Sequence, residues 1–217
     1  MIKQAFVIGR QVAEKLEVIA IHGGASKDHT WQELKRSSQI YTKLIIIDQQ
    51  KNQEGYAVLK HGFKKARHEW VFYTDGDAQY QLKDLKLLTT TQMKTAADVV
   101  NGYKEERNDS LRRLWFGKFF QNLYWLLIHP PIRDIHCDFR LIRRSFLKSI
   151  KWTTSGSTII SELILSLQKQ KAVFFEVPVG HYQRQYGHSN YQLTQLTTQS
   201  LKELWWSLQF MYRIGKS

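Results

Sequence analysis

The sequence predicts an α/β protein with a mainly parallel central sheet flanked by helices. Short β-branched runs alternate with helix-length segments through the first hundred residues, which is the pattern of βαβ units. Two of these runs stop at turn-forming residues, "HGGAS" and "TDGDAQ". In such sheets ligands bind outside the carboxyl ends of the strands. A length of 217 residues with 42% hydrophobic content suits one sizeable α/β domain and is short for two.

The elements follow in order. Residues 3–15 read as a short helix and 16–21 as a strand ended by His22-Gly-Gly24. A helix opens near Asp28, a candidate N-cap. Residues 41–47 hold most of the run "LIIID", a second strand. Residues 53–67 are helical, with Ala57, Leu59 and Phe63 near one side. Residues 69–73 form a third strand, 84–93 a helix and 98–100 a fourth strand. The second half is more helical. Residues 110–128 carry apolar side chains around most of their circumference, with a narrow polar stripe of Arg113, Gly117 and Gln121, and "HPP" stops them. Residues 157–168 form a helix with Ser157 as a candidate N-cap, 172–177 a strand, and 191–212 a long closing helix.

Cys137 is the single cysteine, so no internal disulfide forms. The longest apolar run, 123–128, is far below the roughly 20 residues of a membrane span. Residues 1–18 lack the uninterrupted apolar core of a signal peptide. The eight His show no metal-ligand spacing. The formal net charge of +13 leaves a solvated basic surface or an anionic partner: nucleic acid, anionic lipid or a phosphorylated substrate. For nucleic acid, no recognised motif interleaves aromatic and basic residues.

Asp75-Gly76-Asp77 follows an apolar strand. Two acids this close in a basic chain repel unless a cation lies between them. Mg²⁺ takes one or two carboxylates plus substrate phosphates, and Gln79 adds a neutral amide oxygen. A solvated turn is the competing reading.

The ordered set "GASKDHT", "NQEGYAVLKHGFKKA", "YTDGDAQY", "NGYKEERNDS", "RDIHCDFRLIRR" and "EVPVGHYQRQYGHSNY" resembles glycosyltransferase family 2, with its GT-A fold, and within it the dolichyl- or polyprenyl-phosphate sugar synthases. The resemblance implies roles position by position. Asp75, Asp77 and Gln79 match the acidic motif that holds Mg²⁺ or Mn²⁺ and the nucleotide-diphosphate sugar. Asn52 and Gly55 match the segment beside the nucleotide. Arg107 and Asp109 match part of an "R…R.D" segment, with Lys104 where the family often has Arg. Asp134 matches the acid that orients or deprotonates the acceptor; pairing with Arg133, Arg140 or Arg143 is its alternative. Arg184, Gly187 and Ser189 match "R..G.S", whose Arg approaches the phosphates and whose fork suits them. The family's opening strand and "P.YNE" loop have no counterpart, and "GGAS" replaces "DDGS" without the acid that contacts the base.

The expected activity is metal-dependent, inverting transfer of a sugar to a polyprenyl phosphate on the cytoplasmic face of an anionic membrane. The expected division is a catalytic domain over 1–190 and an amphipathic helix over 191–217. A wide apolar face with basic flanks on 110–128 and 191–212 suits a helix lying in a membrane interface; packing against the sheet is the alternative. A soluble or polysaccharide acceptor, and an impaired member acting as a binding module, are the other functional readings. Cys137 is expected to be a small buried residue.

Overall fold

The computed structural model describes residues 1–23, 29–49, 57–104, 111–154, 156, 158–182 and 193–214. Its six strands are β1 (Val18–His22), β2 (Leu44–Asp48), β3 (Trp70–Thr74), β4 (Val99–Lys104), β5 (Phe139–Arg143) and β6 (Phe174–Val179). Its helices are α1 (Ile2–Val12), α2 (Thr30–Ile40), α3 (Ala57–Lys65), α4 (Leu85–Thr95), α5 (Leu111–Ile128), α6 (Arg144–Lys148), α7 (Thr158–Lys169) and α8 (Leu193–Ile214). The two expected N-caps, Asp28 and Ser157, lie outside the described residues. At α2 the capping position is His29, whose side chain makes no cap bond.

The strands form two sheets. β1 and β2 pair in parallel, Val18 with Leu44 through His22 with Asp48. The larger sheet runs β3-β5-β4-β6. β5 is antiparallel to β3 and β4, and β6 is parallel to β4. Three of its four strands therefore share one direction, as expected, and β5 is reversed. The strand reading passed over β5 because Arg140 and Arg143 interrupt its apolar pattern. β4 can approach both neighbours closely because Gly102 has no side chain: a Cβ there would meet Val179 at 2.8 Å and the Phe139 carbonyl at 3.0 Å.

One face of the large sheet packs on α4 and α1, through Leu85, Leu88, Val100, Phe139, Leu141 and Val177 with Ala5, Ile8 and Val12. The other packs on α3 and α7, through Phe63, Tyr73, Val99, Ile142, Leu163 and Leu167. α7 is deeply buried, and Ser161 and Glu162 are buried in it along with its Ile and Leu residues. α5 and α8 pack together beside it around Ile128, Leu165 and Leu204. α5 ends where His129 takes φ 52 and Pro130 follows, a left-handed cap with a residue that cannot extend the helix.

β1 and β3 are not paired, yet α3 reaches both. Gly62 lies against Ile21 of β1, and the next residue, Phe63, stacks edge-on to Tyr73 of β3 at 5.5 Å. Glu17, just before β1, accepts from the Arg67 backbone at 2.7 Å and from its guanidinium at 2.8 Å, tying the entrances of the two strands. α3 and the Glu17–Arg67 pair thus bridge the seam between the two sheets.

Candidate functional site

The acidic turn leaves β3 at Thr74. Asp77 Oδ1 accepts the Gln79 backbone N–H at 3.1 Å, an Asx turn. Ala78 sits at φ 61, a left-handed conformation that non-glycine residues rarely adopt and that concentrates at functional sites. The turn is then fastened to the segment leaving β6. Tyr182 N–H donates to the Gln79 carbonyl at 2.8 Å, and the Gln79 side-chain amide donates to the Tyr182 carbonyl at 3.1 Å. Tyr80 bridges to His181, their rings 5.0 Å apart.

A row of polar residues crosses the large sheet: Tyr73, Arg140, Asn101 and Glu176 are direct partners on β3, β5, β4 and β6. Arg140 is fully buried. It donates to Asn101 Oδ1 at 2.5 Å, to the Tyr73 hydroxyl at 2.5 Å, and to the carbonyls of Ile135 at 2.9 Å and Cys137 at 3.3 Å. Asn101 donates to the Asp134 carbonyl at 3.2 Å. Glu176 accepts from Arg133, at the backbone (3.0 Å) and at Nε (3.2 Å). The row therefore holds the loop around Asp134 by its backbone. The Asp134 carboxylate, 5% exposed, accepts the Lys104 backbone N–H at 3.4 Å. Of the arginines considered as its partners, Arg133 pairs with Glu176 and Arg143 with Asp98.

Tyr80 joins the turn to this loop. Its ring lies 5.5 Å from Phe139, and the Lys104 ammonium is 6.0 Å from its centroid. Burial, then the neighbouring Cys137, Asp138 and Asp134, pushes its phenol far above the usual range. Burial, then Asp134, pushes the Cys137 thiol up to about 12. Cys137 is thus a neutral packing residue, as expected, and no nucleophile.

Asp77 and Gln79 lie in the turn that runs into Tyr80, Asp134 is among the acids acting on the Tyr80 phenol, and Asp75 acts on Tyr73. Asn52, Gly55, Arg107, Asp109, Arg184, Gly187, Ser189 and the segment 24–26 lie outside the described residues. The sequence reading missed Tyr80, Asn101, Arg140 and Glu176. The available signal was an arginine inside an otherwise apolar strand, "FRLI", which must find acceptors wherever it is buried. Asp75 and Asp77 offer hard oxygen ligands, which fit Mg²⁺ or Mn²⁺. Among the described residues no group of three His, Cys, Asp or Glu could hold a metal, so a cation here would take its other ligands from substrate and water.

At the carboxyl ends of β1 and β2, His22 Nδ1 bonds Asp48 at 3.0 Å, and Trp31 stacks on the His22 ring at 5.6 Å. The Gln49 amide bonds His61. His22 Nε2 and Gln49 Oε1 are buried without a hydrogen-bond partner among the described residues.

The model of a family described as Glycosyl transferase family 2 matches residues 6–151. An undecaprenyl-phosphate 4-deoxy-4-formamido-L-arabinose transferase of Pseudomonas fluorescens is 25% identical over 183 residues, covering 84% of this chain and 52% of the relative. The chain thus spans about half the length of that transferase. An uncharacterized protein of Methanocaldococcus jannaschii is 28% identical over 177 residues, 75% of this chain and 76% of the relative. Glucosyl-3-phosphoglycerate synthase from Mycobacterium tuberculosis, solved with Mn²⁺, UDP-glucose and phosphoglyceric acid, aligns with a TM-score of 0.65 at 14% identity, over 94% of this chain and 69% of that one. That likeness supports the GT-A fold. With the family model matching well over half of its length, the chain belongs to glycosyl transferase family 2.

Proposed function

We propose that the protein transfers a sugar from a nucleotide-diphosphate donor to a polyprenyl phosphate at an anionic membrane surface, with a divalent cation and inversion at the anomeric carbon. The observation that carries this reading is the fastening of the acidic turn, through Gln79 and Tyr80, to the 180–182 segment and to the loop of Asp134. Asp75 and Asp77, with Gln79, would hold the cation, which when bound neutralises the leaving diphosphate. In sequence the 180–182 segment runs on to Arg184, Gly187 and Ser189, assigned here to the phosphates. Asn52, Gly55, Arg107 and Asp109 are assigned to the nucleotide sugar. The nucleobase falls to the ends of β1 and β2, where the partnerless atoms of His22 and Gln49 offer it hydrogen bonds. A phosphate acceptor is already anionic near neutral pH, so the rigidly held Asp134 chiefly orients it.

The membrane assignment rests on α5 and α8. Phe119, Trp125, Leu126 and Leu127 of α5 and Leu201, Trp205, Leu208, Met211 and Tyr212 of α8 are exposed. α5 contains no acid, and the one acid of α8, Glu203, is buried, while Lys118, Lys202 and Arg213 are exposed. The polar residue Gln121 is bonded near the surface to the Arg133 carbonyl. Aromatic side chains outward with basic flanks suit an anionic bilayer, each basic residue adding about 1 kcal/mol near it. Among the described residues no helix is long and apolar enough to cross a membrane. Related names support the acceptor class.

The test is transfer of labelled sugar to a polyprenyl phosphate with Mg²⁺ or Mn²⁺. Asp77→Ala should lower it by about a hundredfold or more; undiminished transfer by that variant would sink the mechanism. Equal activity on a water-soluble acceptor without lipid would favour the soluble-acceptor reading. Failure of nucleotide sugar to bind in the presence of metal would favour a non-catalytic module.

A further inference from the structure

The loop of Asp134 is held by two sets of groups. One is the sheet row of Asn101, Arg140 and Glu176. The other comes from the two helices with exposed aromatic residues. Gln121 of α5 donates to the Arg133 carbonyl at 2.5 Å, one residue before Asp134. Glu203 of α8 lies 3.4 Å from His136 Nε2, two residues after it. The Glu203 carboxylate also accepts the hydroxyl of Ser161 on α7, and Tyr124 of α5 bonds Ser207 of α8 at 2.8 Å. The Lys104 ammonium closes the set at the His136 carbonyl, 3.0 Å away.

These contacts start close to the exposed face. Gln121 is two residues from Phe119, and Glu203 is two residues from both Leu201 and Trp205. A helix is stiff over such a span, so a displacement of its outer face displaces its inner face with it. A carboxylate buried among apolar helices is costly unless it is bonded, and Glu203 is bonded on both the α7 and the loop side.

We propose that Gln121 and Glu203 are positioning residues that transmit the seating of the α5–α8 face to the loop of Asp134. The reaction is then faster when the face is seated, beyond any gain from concentrating the acceptor. This rests on the membrane reading above.

The test separates binding from activation. The acceptor is a short isoprenyl phosphate that stays in water. The vesicles are phosphatidylglycerol–phosphatidylcholine without acceptor. Wild type is expected to sediment with the vesicles and to turn over faster in their presence, by up to about a hundredfold, the scale of a misplaced reacting group. Glu203→Gln, Gln121→Ala and His136→Ala are expected to sediment equally and keep the donor KM, while losing the vesicle-induced rise in kcat. The His136 side chain is 56% exposed, so that variant does not endanger the fold. Variants that bind and remain fully activated would overturn the proposal, as would wild type that binds without activation. Wild type that fails to bind vesicles removes the membrane reading itself, and this proposal with it.

Discussion

The polar row of the large sheet and the carboxyl ends of the small sheet treat their polar groups in opposite ways. In the large sheet the row from Tyr73 to Glu176 lies next to the core, and the buried guanidinium of Arg140 makes four hydrogen bonds. In the small sheet every residue of β1 is only partly buried, and at its carboxyl end His22 Nε2 and Gln49 Oε1 are buried without partners among the described residues. The first arrangement is finished before any substrate arrives. The second has hydrogen-bonding capacity left over. Rigid placement suits the acceptor loop and the acidic turn, and unspent capacity suits a surface that completes its bonds with a ligand.

The largest effect should come from breaking the finished side. Arg140→Met leaves Asn101, Tyr73 and two loop carbonyls without their donor, and is expected to cost more than about 3 kcal/mol in denaturant unfolding. Next is Asp77→Ala, which keeps the fold and lowers transfer by about a hundredfold or more in the labelled-sugar assay, the scale of one lost electrostatic group. Gly102→Ala forces β4 away from Val179 and the Phe139 carbonyl and should cost about 1–3 kcal/mol in the same unfolding experiment.

Gln49→Leu sharpens the contrast. It removes an acceptor that has no partner together with one hydrogen bond, to His61, so stability should fall by about 1 kcal/mol, the net of a single bond, while calorimetry shows weaker nucleotide-sugar binding. An effect on stability as large as that of Arg140→Met would erase the distinction between the sheets. The smallest effect concerns pH. Burial raises the Cys137 thiol to about 12, so its contribution is complete below the ordinary thiol range and fades as pH rises from there toward 12. Cys137→Ala should flatten that part of the alkaline decline in unfolding free energy, and thiol reagents at neutral pH should label wild type only once it unfolds.

The regular part of this fold was legible. β1 to β4 and the main helices follow from the alternation of short β-branched runs with helix-length segments. β5 was not, since Arg140 looks like a surface residue until its acceptors are assembled from β3, β4 and a loop far apart in sequence. The acidic turn was legible because Asp, Gly and Asp fall within three residues. The hold on Asp134 was hidden for the opposite reason: Asn101, Arg140 and Glu176 meet only through strand order and register. α5 was half legible. Its narrow polar stripe was visible, but the bond of Gln121 to the Arg133 carbonyl depends on the loop it meets.

The seam between β1 and β3 has a consequence for solubility. Among the described residues each strand keeps one edge without a neighbour. Unpaired edges usually lie at a sheet's rim, where lysines, prolines and bulges discourage foreign strands. Val18-Ile-Ala-Ile21 and Trp70-Val-Phe-Tyr73 carry no charge at all. Ala5, Ile8 and Val12 of α1 pack on the same core as Trp70 and Phe72, and Phe6 stacks on Tyr41 at 4.6 Å. α1 supplies none of the described site residues, yet its release would uncover part of the apolar core on which Trp70 and Phe72 also pack.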